Sequence, residues 1–188
     1  MGTSVSQSSP HTLSWNAAHA AYRDANIPVS RVAAEVWRAA LNQESGDIGR
    51  LIAHPIIAQI GMLATEATSA SDLSRKTALL LVHRKQSSLG TEIARRAAIQ
   101  CVGAPNQQEL FRERVFAEAT GYLVARDLSG FVGGGRTHNV AESLDLKAAL
   151  MSHVANVVRS VRPPRALEAK SWAEHVSTVV DELRRIRR

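Results

Sequence analysis

Apolar residues recur three and four positions apart along most of this chain, the spacing that lines one face of an α-helix. Trp15, Ala18 and Tyr22 mark a short first helix with Thr12 or Ser14 as its cap. Pro28 breaks the chain, and Ser30 is a good N-cap for a second helix whose stripe is Val32, Ala33, Val36, Trp37 and Ala40. Residues 42–49 read as a turn. Pro55 suits a first helical position, with His54 as a possible cap, and Ile56, Ile57, Ile60, Leu63 and Ala64 form the next face.

Residues 72–86 hold the longest unbroken apolar run, Ala78-Leu79-Leu80-Leu81-Val82. Leu and Ala rather than Val and Ile favour helix over a strand at 77–83. The centre of this helix is apolar all round, so it is expected to be the most buried one. After a Ser87-Ser88-Leu89-Gly90 turn, Thr91 is read as the start of a helix. Ile93, Ala94, Ala97, Ala98 and Cys101 face inward along it, and Gly103 stops it.

Asn106 and Glu109 have capping-box spacing and open the longest helix, about 107–129, with Phe111, Val115, Ala119, Tyr122 and Leu123 on one side. Asn139 and Glu142 repeat that spacing before a helix to about Val161 with the stripe Leu146, Leu150, Val154, Val157 and Val161. Pro163-Pro164 is a firm break. The last helix starts near Ala166 or at a Ser171/Glu174 capping box. No fixed-period repeat and no hairpin-flanked alternation is present.

The expected fold is therefore all-α: an irregular bundle of seven or eight helices forming one compact domain. A flexible tail covers 1–12, the bundle 13–164, and a basic amphipathic helix 165–188.

Composition sharpens this only slightly. The chain has 188 residues, 45% apolar, 4% aromatic and 21% charged, with net charge +6. That is a globular composition, large enough to bury a core without staples. The single Cys101 excludes a disulfide framework or a Cys-rich zinc site. Arg outnumbers Lys 19 to 4, which suits phosphate or interface contact and also arises from GC-rich coding. The apolar run is far below the roughly 20 residues that span a bilayer, and the N-terminus lacks a secretory pattern, so a cytoplasmic location is expected.

Three features carry candidate chemistry. Gly130-Phe131-Val132-Gly133-Gly134-Gly135-Arg136-Thr137 has the spacing of a phosphate-binding loop, with Arg136 where that motif has Lys. A helix precedes it rather than a buried strand, so an ordinary loop between helices is the plainer reading. Gly133, Gly134, Gly135, Arg136, Thr137 and His138 are its candidates for touching a phosphate or an acidic partner.

The second feature is the seam Trp172, Val176, Val179, Leu183 and Ile186, spaced 4, 3, 4, 3. It either packs on its own domain or docks on another subunit. The third is the basic end Arg184, Arg185, Arg187 and Arg188, suited to phosphates or to the helix dipole. The seven His residues form no HExxH pair, and no metal, cofactor or small-molecule substrate is indicated.

The functional expectation is a small helical protein–protein interaction module: an adaptor, regulatory or accessory subunit without catalysis of its own, with a protein partner or self-association. The alternative is a nucleic-acid-binding subunit using the Arg-rich end. A nucleotide-binding enzyme using residues 130–137 is the remote alternative. Deleting 171–188 is expected to abolish docking while leaving a helical fold.

Overall fold

Residues 10–42, 48–85, 88–128, 135–164 and 166–185 are described by the computed structural model. Among them are nine helices and no strand. They are α1 (Pro10–Arg23), α2 (Val29–Leu41), α3 (Ile48–Ala53), α4 (Pro55–Glu66), α5 (Ala70–Arg84), α6 (Leu89–Ile99), α7 (Gln107–Asp127), α8 (Val140–Ser160) and α9 (Ala169–Arg185). The bundle has one more helix than the sequence suggested. The addition is α3, which begins at the end of the 42–49 turn and continues through residues 50–53, for which the apolar pattern gives no element.

Several helix starts follow the local chemistry. Asn139 Oδ1 accepts from the Glu142 N–H at 3.0 Å, and the Glu142 carboxylate accepts from the His138 N–H at 2.6 Å. His54 Nδ1 accepts from the Ile56 N–H at 3.3 Å, with Pro55 in the first helical position. Other starts are shifted. Ser88 and Thr91 form a reciprocal capping box, so α6 begins at Leu89 and Thr91 sits inside its first turn. α1 already includes Pro10–Thr12, residues that the sequence assigns to the tail. Asn106 makes no side-chain cap bond, and α2 follows Pro28 without one. Ser171 donates to the Ala166 carbonyl at 3.0 Å instead of capping α9.

One continuous core runs from Trp15 to Leu183. α2 lies at its centre, against α1, α7, α8 and α9. Its Ala-rich surface lets those neighbours come close, and Val32, Val36 and Trp37 are fully buried. The Trp37 indole donates to Thr120 Oγ1 at 3.1 Å, and that hydroxyl donates to the Phe116 carbonyl at 2.8 Å. A buried indole N–H without such a partner would cost roughly 1–3 kcal/mol. α6 buries Ile93, Ala94, Ala97 and Ala98, the face its periodicity marks, and Cys101 is buried in the turn just beyond it. Burial pushes the Cys101 thiol up to about 11, so it acts as packing.

α5 corrects the sequence reading most sharply. Its apolar run predicts the most buried helix, yet only Leu73 and Thr77 of its residues are buried. Leu79 is 61% exposed and Val82 76% exposed. The helix packs against α4 and α6 at the edge of the bundle, so one stripe suffices to hold it.

Candidate functional site

Of the glycine-rich segment only the end, from Gly135 onward, lies among the described residues. Gly133 and Gly134 lie outside the described residues, together with 129–132. Gly135 has φ +68°, and a Cβ there would collide with the Arg23 carbonyl oxygen, so only glycine fits this crossing. Next to it, Arg136 Nη2 donates to the Ile27 carbonyl at 2.7 Å and to the Ala25 carbonyl at 3.4 Å. Thr137 is buried and His138 lies in the α8 cap. The described part of the loop therefore straps the α1–α2 turn to the start of α8. A helix, α7, precedes it, as the plainer reading required. The hydroxyl and guanidinium expected to meet a phosphate are a buried group and a backbone tie.

The C-terminal seam lies inside the domain. Trp172, Val176, Val179 and Leu183 are all buried in the chain's own core, and Ile186 lies outside the described residues. The Trp172 indole donates to the Ile52 carbonyl at 2.7 Å. In a continuous helix that carbonyl would accept from the Ile56 N–H, which His54 has taken. Trp172 thus satisfies the orphaned end of α3. These side chains cannot also be a docking face without opening the fold. At the basic end, Arg184 lies 4.0 Å from Asp181 and Arg185 3.4 Å from Glu182, while Arg187 and Arg188 lie outside the described residues.

Sequence spacing gave no hint of a buried polar cluster joining α7 to α9. Arg112 Nη1 meets His175 Nε2 at 3.3 Å, 63 positions apart, with both residues almost wholly buried. The imidazole also bonds to the Arg162 backbone and lies edge-on to Phe116. Burial, then the Arg112 charge, pushes His175 down to about 4. A neutral ring donating through Nδ1 and accepting at Nε2 satisfies both contacts. His175 borders a cleft of about 630 Å³ beside Pro163 and Pro164. The Nε2 contact to Arg112 ties α9 to α7 beside that cleft.

Two apolar patches remain exposed among the described residues. A groove of about 620 Å³ runs between α4, α5 and the start of α9, lined by Ala58, Met62, Leu63, Leu79, Leu80 and Leu167. Leu79 and Val82, three apart on α5, share one face. The N-terminal lip is held by Asp72, which pairs with Arg75 and Lys76, each at 2.9 Å. Lys76, the Thr68 N–H and Arg75 hold the Asp72 carboxyl below its ordinary range. At the other end α5 closes with Lys85 in a left-handed turn, φ +48°. Arg84 and Lys85 are exposed, and among the described residues neither has a carboxylate within ion-pair distance. A smaller apolar pair, Val140 and Leu144, stands one turn apart on α8.

Among the described residues no helix is long and apolar enough to cross a membrane, and no three metal-ligating side chains gather. Comparison of the chain with protein-family models, curated proteins and solved structures returns no match, so its function is argued from this geometry.

Proposed function

We propose that this chain is a small helical protein–protein interaction module that docks its partner through the groove between α4 and α5. The observation that carries this reading is Leu79, 61% exposed on the wall of an apolar trough; Val82, 76% exposed, lies on α5 next to that wall and outside its lining. Single exposed apolar side chains are ordinary, but a contiguous apolar patch rimmed by charge marks an interaction surface. Fully burying a Leu or Val contributes about 1.5–3 kcal/mol each. Association costs at least about 4 kcal/mol. Met62 and Leu63 must therefore join the contact for a stable complex.

The i,i+3 carboxylates beside Arg184 and Arg185 lower the positive field available to a nucleic acid at that end.

The test is a photo-crosslinking residue at Val82, activated in the native cell with and without nuclease. A protein adduct that survives nuclease and disappears in the Leu79→Glu background supports docking. No adduct, or one recovered only without nuclease, rejects it; the second outcome favours nucleic-acid association.

A further inference from the structure

The docking reading leaves the occupant open, and the charge and shape of the groove narrow it. The trough is walled by α4 and α5, and among the described residues there is no strand edge for an extended peptide to extend. Lys76 to Arg84, the part of α5 that lines the groove, makes a wall about 12 Å long at 1.5 Å per residue. That matches roughly two turns of a partner helix with its own stripe at three- and four-residue spacing.

The charges are uneven along this wall. At its N-terminal end Asp72 is matched by Arg75 and Lys76. At its C-terminal end His83, Arg84 and Lys85 are exposed, and neither Arg84 nor Lys85 is matched by a described carboxylate. Glu66 and Glu168 are the remaining exposed acids near the groove, on α4 and just ahead of α9.

Resting on the docking reading, we infer that the groove takes an amphipathic helix of a different protein, apolar along one stripe and acidic along the flank that meets Arg84 and Lys85. A second copy of this chain fits less well, because its own α5 brings the same cationic end and an Asp72 already engaged. The acidic flank would supply a counter-charge that no described carboxylate gives, and the positive end would orient the incoming helix.

The test uses two fluorescein-labelled 18-residue helical peptides. Both carry Leu at three- and four-residue spacing, one with Glu and one with Lys on the flanks. Anisotropy titrations of the full chain at low salt should show the Glu peptide binding at least tenfold more tightly. Leu79→Glu with Val82→Glu should weaken that binding at least tenfold. Arg84→Glu with Lys85→Glu should reverse the preference toward the Lys peptide, a gain that a misfolded variant would not give. Equal binding of both peptides, no binding, or an unchanged preference after charge reversal overturns the inference. So does sedimentation showing a dimer that Leu79→Glu dissociates, since the occupant would then be a second copy. If the peptides fail while the Val82 adduct persists, the partner's chemistry is wrong and the docking reading stands. If both fail, the groove is not a docking site.

Discussion

Helices α5 and α9 differ in how far the bundle covers their apolar faces. α5 carries an unbroken apolar run and reads as core, whereas α9 carries a narrow seam at the chain end that reads either as packing on its own domain or as a docking face. In the structure α9 is held by α2, α3, α4 and α8, with Trp172 and Leu183 fully buried. α5 rests on α4 and α6 at the edge and leaves Leu79 and Val82 outside. A seam spaced 4, 3, 4 specifies a direction, and neighbours can cover all of it. A run that is apolar in every direction specifies an amount but no direction. Its surplus then faces whatever side the bundle leaves uncovered.

The largest test of this contrast is at Trp172. Replacing it with Ala removes a fully buried indole and leaves the Ile52 carbonyl unpaired, which should cost about 3–5 kcal/mol in a urea titration. For the same reason, deleting 171–188 should abolish cooperative unfolding and not leave the intact helical fold expected from the sequence. A truncated chain that still unfolds cooperatively with wild-type helicity would refute the role assigned to α9.

Next in size is the pH response of the α7–α9 junction. His175 is held neutral down to about 4 in the folded chain, while an ordinary imidazole titrates near 6.5. Between those values the unfolded chain binds more protons, so stability falls as pH falls. The loss should approach roughly 1 kcal/mol per pH unit and then level off below about pH 4. Denaturation midpoints across pH 7 to 4 for wild type and His175→Gln would measure it. Parallel curves for the two proteins would remove His175 as the cause.

A smaller cost is expected at the strap over the α1–α2 turn. Gly135→Ala forces a Cβ into the Arg23 carbonyl at φ +68° and should lower stability by about 1–3 kcal/mol. A thermal midpoint equal to wild type would show that the strap is not seated on that turn.

Much of the fold was legible because it is local. The inward face of α6 and the Leu146, Leu150 and Val154 stripe of α8 lie where periodicity put them. The caps at His54 and Asn139 also follow from neighbouring residues. What escaped the sequence depends on distant partners. α3 is only six residues long, and the carbonyl at its end is satisfied by an indole 120 positions away. The Arg112–His175 pair spans 63 positions with no repeating spacing to announce it. The groove is defined by which parts of α4 and α5 other elements leave bare, a property of the assembled bundle. The glycine-rich loop was visible as a feature, but its engagement with Ile27 and Arg23 could not be read from spacing.

The most direct measurement is a urea titration of the Leu79→Glu/Val82→Glu double variant, followed by circular dichroism. If the outer face of α5 takes no part in holding the fold, the stability should match wild type within about 0.5 kcal/mol, as for ordinary surface substitutions. A loss of several kcal/mol would mean that these side chains are packed in the folded chain, and the groove would not be a free surface.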